Sequence, residues 1–173
     1  MDKIDKAIKL ITENKHLDGY HLNTYNYSFK YNGKPESYSR ERKGRGSHFY
    51  NPKGDKIREY RRVFKTQLND DSKKYLSELI SSPEKIYMVY LDITYAIQVQ
   101  KADSIKNTAL KLAGIIKPSL RPDIDNYDKF ILDAMHDVIY DDDKRVISIR
   151  SNKIYAEEEY TLVNVKIEEI IKE

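Results

Sequence analysis

Residues 121–144 read RPDIDNYDKFILDAMHDVIYDDDK, and their types and spacing can do chemistry. Eight aspartates fall there, at 123, 125, 128, 133, 137, 141, 142 and 143. After Pro122 the only Lys or Arg residues in the stretch are Lys129 and Lys144. Asp123 and Asp125 are two apart, and in an extended chain such residues point to one side. Pro122 disfavours helix just before them. Asp125 then stands where a helix N-cap is expected, with helical periodicity after it. Tyr127, Phe130, Ile131, Ala134 and Val138 recur on one side as a stripe to be buried. Lys129 lies one turn beyond Asp125 on the opposite side, with Asp133 and His136 near the same line. Three adjacent carboxylates at 141–143 repel one another and raise their own pKa unless a cation intervenes. A hard cation such as Mg²⁺ binds through carboxylate oxygens, keeps several waters, and takes substrate phosphate into its shell. Two carboxylates from 123 and 125 and one from 141–143, brought together by the helix between them, would make such a site. The nearby lysine would stabilise charge developing on a phosphate, or orient or activate water.

Each part also has a plainer role. Asp125 can be only a cap, Lys129 only its partner one turn away. His136 can be a surface histidine, and an Asp-rich turn can simply be solvated. The combined series D-x-D-N-x-x-K followed by D-D-D is far more specific than its parts.

The elements that must position these residues are legible to different degrees. At 173 residues the chain is expected to form one domain with its own core. The start, MDKIDKAIKLITENK, interrupts every apolar run with charge, so it is neither a signal peptide nor a membrane span. There is no cysteine, hence no disulfide framework or thiolate metal site, and a soluble, cytoplasmic protein is expected. Periodicity predicts a short amphipathic helix over 2–14, a strand over 25–31 and a long loop over 32–56. It then predicts a helix over 57–80 broken near 69–71, a strong strand over 85–99 and a helix over 101–116. The acidic stretch opens a helix at about Asn126, and strands follow over 145–156 and 160–170. This order is that of an α+β domain with a mixed or antiparallel sheet and packed helices.

The net charge of +3 conceals an asymmetry. Residues 34–65 carry eleven Lys/Arg against four acids, while residues 123–143 carry eight Asp against one Lys. Opposite charges segregated in this way fit one surface for a polyanion and one pocket for cations, or else two solvated faces that neutralise each other. Fifteen tyrosines give aromatic rings with polar tips. In the basic loop, Tyr38, Phe49 and Tyr50 are interleaved with Arg40, Arg42, Lys43 and Arg45, an arrangement able to hold phosphates and to stack on a base.

The sequence RPDIDNYDKFILDAM…VIYDDDKRV resembles the signature of the RusA-like Holliday-junction resolvases, a Pro-Asp-x-Asp-Asn-x-x-Lys run with Leu-Asp-Ala on the helix and Tyr-x-Asp-Asp before a strand. The upstream GKPESYSRERKGRG…FYNPKGDKIREY is similar to that family's basic segment. The resemblance implies a homodimeric, Mg²⁺-dependent endonuclease, with Mn²⁺ as a substitute, that nicks four-way DNA junctions symmetrically. By position it implies metal-binding carboxylates at Asp123, Asp125 and Asp143, and an essential lysine at Lys129. Ser37, Tyr38, Arg40, Arg42, Lys43, Arg45, Arg121 and Asn126 are then the expected DNA contacts, with Arg121 at the scissile phosphate. Residues 1–18 would be an N-terminal helical extension and 19–173 the endonuclease domain. The 2–14 helix and the 100–117 segment have no counterpart in the smallest members. Two other readings stay open: a non-cleaving DNA-binding module of the same fold, and a nuclease selective for flaps or forks.

Overall fold

Hydrophobic alternation builds the centre of the protein. In a computed structural model of the chain, the residues described are 19–40, 42–43 and 49–172, with Ile4, Lys6, Ile8 and Lys9. The expected 2–14 helix lies largely outside them, as does Arg45. Along the chain come β1 (Tyr20–Asn32), β2 (Arg42–Lys43), β3 (Phe49–Tyr50), α1 (Gly54–Thr66) and α2 (Asp70–Ser81). After them come β4 (Ile86–Gln98), α3 (Ile105–Leu112), α4 (Ile124–Met135), β5 (Val146–Ala156) and β6 (Tyr160–Lys172). Four strands form one sheet in the order β1-β6-β4-β5, with β5 parallel to β4 and the other pairs antiparallel. The fold is α+β with a mixed sheet, as the sequence implies.

Every second residue is buried along β4 and most of β6, all apolar apart from Thr161 and Glu169, and so are Phe29 and Tyr31 of β1. Phe29 pairs with Val163, and Val163 with Ile93, on the covered side of the sheet. Successive strand side chains point to opposite faces, so Ser28 and Asn164 stand on the open side, where they share a hydrogen bond of 2.8 Å. Helices α1 and α4 pack on the covered side. The Tyr60 ring stacks on Tyr31 at 3.7 Å and meets Phe130 edge-on at 4.9 Å, joining β1, α1 and α4. Edge-on aromatic pairs of this kind add to the area they bury.

Several element boundaries differ from expectation for local reasons. Strand β1 begins earlier, at Tyr20, because its pairing with β6 runs out to Tyr20↔Lys172 although the first residues are half-exposed. The basic loop contains the short β2–β3 ribbon. The 57–80 helix is broken near 69–71 as expected, and Asn69 caps its second part by accepting from the Ser72 N–H at 2.7 Å. Helix α3 is capped by Ser104 and buries none of its residues. Among the described residues, no helix is long and apolar enough to cross a membrane.

The start of α4 is a correction. Asp123, not Asp125, occupies the cap position, with extended backbone at φ −69° and ψ 153°. Its carbonyl accepts from the Asn126 N–H at 3.1 Å, and the helix opens at Ile124. Ile124 packs against the core, so the apolar stripe begins a turn earlier than Tyr127. Asp125 therefore lies in the first turn, where the electropositive helix end favours a carboxylate.

Candidate active site

Helix α4 is held in place on both sides. Its apolar stripe of Tyr127, Phe130, Ile131 and Ala134 is buried, and Val138 beyond its end is buried too. The Asp128 carboxylate accepts from Tyr95 Oη and from Ser151 Oγ, each at 2.8 Å, tying the helix to β4 and β5. Arg61 of α1 donates from its guanidinium to the Asp133 carbonyl at 2.6 Å. Tyr140 Oη donates to the Leu132 carbonyl at 2.9 Å.

At the N-terminal end of α4, Asp123, Asp125 and Lys129 are exposed. Lys129 Nζ stands 3.1 Å from Asp125 Oδ2, one turn apart, with more than half of each side chain open to solvent. Asp123 makes no side-chain cap bond. The basic loop is attached here, since the Tyr38 N–H donates to the Asn126 carbonyl at 2.7 Å. Ser37 and Tyr38 are half-buried, while Arg40, Arg42, Lys43 and Arg121 are exposed. The Arg121–Pro122 peptide is cis.

At the other end, a cleft of about 660 Å³ is lined by Tyr38, Arg61, Asp133, His136 and the Asp141–Asp143 run, among others. Burial pushes the Asp133 carboxyl above the usual range. Asp143 adds to that shift, while Arg61 and His136 oppose it. The three terminal aspartates differ from one another. Burial raises Asp141, but hydrogen bonds from Arg145 Nε at 3.1 Å and Tyr87 Oη at 2.8 Å outweigh it and leave its carboxyl below the usual range. Asp142 is held low by the Lys144 N–H at 3.0 Å and by its ammonium at 2.9 Å. Asp143 opens the 3₁₀ turn over Asp143–Arg145 and is exposed.

Asp125 and Asp133 both stand on α4, and Asp143 lines a cleft with Asp133. Asp125 and Asp133 are two turns apart, about 12 Å of helix rise, and Asp143 lies at the Asp133 end. Beyond Met135 the chain passes through 136–142 and the turn over Asp143–Arg145 into β5, whose Lys153 Nζ donates to the Leu120 carbonyl at 2.7 Å, just before the start of α4. Among the described residues, no three His, Asp or Glu side chains stand close enough to share an ion. Asp123, Asp125 and Asp143 form no such group among the described residues. Asp123 and Asp125 alone still fit a hard cation, which needs only one or two carboxylates when substrate phosphate completes its shell.

Sequence reasoning gave Arg61 and Asp133 no role at the site. Asp133 recurs two turns after Asp125 on the polar side of α4, a signal available in the spacing. Nothing in the sequence pairs Arg61 with it. The raised Asp133 carboxyl has a measurable consequence. A carboxyl whose folded pKa lies above its unfolded one costs stability above that pKa, and the cost disappears as pH falls through the window. Asp133→Asn is thus expected to stabilise the fold at pH 7. The gain should vanish below about pH 4, where the unfolded carboxyl is also neutral. Urea denaturation at the two pH values checks this, and a gain of equal size at both would contradict it.

A sequence model of the RusA endodeoxyribonucleases matches residues 32–168, a span that contains the basic loop, both acidic groups and all of α4. The chain belongs to the RusA endodeoxyribonuclease family. It is also similar to YqaN, an uncharacterized protein of Bacillus subtilis (strain 168), with 29% identity over 117 residues that cover 61% of this chain and 81% of that protein. RusA nucleases act on branched DNA and generally depend on a divalent metal. Within the RusA match, the D-x-D-N-x-x-K run is the exposed start of α4, and the basic loop is bonded to it through Tyr38 and Asn126.

Proposed function

We propose that this protein is a Mg²⁺-dependent, structure-selective endonuclease that resolves four-way DNA junctions by paired symmetric nicks. It acts as a cytoplasmic homodimer in recombination and repair, with Mn²⁺ able to replace Mg²⁺. The observation that carries the reading is the exposed Asp123, Asp125 and Lys129 group at the start of α4, inside the RusA match and beside the basic loop.

Asp123 and Asp125 would hold the cation. When bound, that ion supplies a Lewis acid for water and for the leaving 3′ oxygen. Lys129, one turn away, offsets negative charge developing on the phosphate oxygens. Arg121, just before Asp123, holds the scissile phosphate, and Asn126 positions the loop through its carbonyl. Ser37, Tyr38, Arg40, Arg42, Lys43 and Arg45 grip the DNA near the crossover, where Tyr38 can stack on an open base. Of the 141–143 run, Asp141 is committed to Tyr87 and Arg145, and Asp142 to Lys144. Asp143 has neither tie and is the member proposed to act, from the cleft it shares with Asp133. The products are a 5′-phosphate and a 3′-hydroxyl that a ligase can seal.

Incubating the protein with Mg²⁺ and end-labelled four-way junction, fork and plain duplex tests the reading. Paired nicks at symmetric positions in the junction are expected. A fork cut faster than the junction would make it a fork nuclease, and tight binding without cutting would make it a non-cleaving module.

A further inference from the structure

The outer face of α1 carries more positive charge than its fold can use. Arg58, Arg61, Arg62 and Lys65 recur at spacings of three and four, so they lie along one stripe. Like charges at these spacings destabilise a helix. Local acids relieve only part of this repulsion. Arg58 pairs with Asp55, and Arg61 Nη1 lies 3.7 Å from Asp137 Oδ2. Among the described residues, the side chains of Arg62 and Lys65 make no ion pair or hydrogen bond, though Arg62 feels the attraction of Glu59. The stripe does not simply splay into solvent. With Thr66 and with Lys73 of α2, its four cations line a groove of about 460 Å³ that contains no acidic side chain.

Arg61 lines this groove and also the acidic cleft beside Asp133 and Asp143. Its Nε is buried without an acceptor, so the guanidinium has donor capacity the protein does not use. The basic groove and the cleft that holds Asp143 thus share Arg61 in their walls.

We propose that the outer face of α1 is a phosphate track that carries one arm of the DNA to the acidic cleft, with Arg61 at the junction of the two. This rests on the endonuclease reading and adds a surface to it. The length of the stripe selects the ligand class. From Arg58 to Lys65 the helix rises about 10 Å, which matches roughly three nucleotide steps of one strand at about 3.4 Å each. A single phosphate or a small anion would occupy one pair of these cations and leave the rest repelling one another. A backbone neutralises the whole row.

The test is the salt dependence of four-way junction binding in the presence of a chelator, so that cleavage does not intervene. The full chain is compared with the triple variant R58Q/R62Q/K65Q and with the charge-keeping variant R58K/R62K/K65R, circular dichroism checking the fold of each. A neutralised phosphate contributes about 0.9 to the slope of log affinity against log salt. The glutamine variant should therefore lose about 2 to 3 of that slope and bind at least about tenfold more weakly at low salt. The charge-keeping variant should retain both. A glutamine variant with the wild-type slope removes the track while leaving the endonuclease reading intact. Failure of the wild-type protein to bind any branched DNA removes the track together with the reading it rests on.

Discussion

Asp125→Asn is expected to slow junction cleavage by at least about a hundredfold, the scale of losing one preorganised electrostatic contact at a reacting centre. Binding of the junction should stay the same or tighten. The carboxylate is exposed, lies in the first turn of α4, and pairs with Lys129 at 3.1 Å. Asparagine keeps the shape but removes the charge a cation needs, and with it some repulsion of the DNA backbone. Fold stability should hardly change, because neither member of the pair is buried and exposed ion pairs contribute little. Single-turnover cleavage and gel-shift affinity, measured side by side, separate the two effects. A variant that cuts at the wild-type rate would remove Asp125 from the site.

Asp128→Ala should do the opposite, lowering stability strongly through a residue outside the proposed chemistry. Its carboxylate accepts from Tyr95 and Ser151, so one side chain fastens α4 to two strands. Tyr95 is fully buried, and truncation leaves its hydroxyl without that acceptor. Hydrogen bonds to a charged group and the penalty for a stranded donor together predict a loss of about 2–4 kcal/mol. The urea midpoint should fall accordingly. Asp128→Asn, which keeps one acceptor oxygen, should lose less. A change in stability of about 0.5 kcal/mol or less, the size of an ordinary surface substitution, would show that the clamp does not hold the helix.

The contrast between Asp125 and Asp128 shows what the sequence makes legible. Period-two alternation marks β4 and β6, and period 3.6 marks α4, because burial of one face imposes those periods. The D-x-D-N-x-x-K spacing singles out the start of α4 as the proposed site. Eight aspartates look alike in the sequence, yet they divide in the structure. Asp128 clamps the helix, Asp141 is fixed by Tyr87 and Arg145, and Asp133 sits half-buried in a cleft. Apart from Arg145, four residues on from Asp141, the hydrogen-bonding partners of Asp128 and Asp141 lie more than twenty residues away, as Ser151 and Tyr87 do, and no local pattern encodes them. The same is true of β5, which returns to the start of α4 through Lys153 and the Leu120 carbonyl. Arg61 illustrates the point from the other side: counted as one charge among eleven, it reaches the Asp133 carbonyl only in three dimensions.

The most direct test of the endonuclease reading is cleavage of a supercoiled plasmid that extrudes a cruciform, with Mg²⁺ present. A resolvase cuts both strands of the extruded junction at symmetric positions, so the account predicts linear plasmid as the main product and none from a control plasmid without the inverted repeat. Supercoiled plasmid left intact, or both plasmids cut alike, would contradict it.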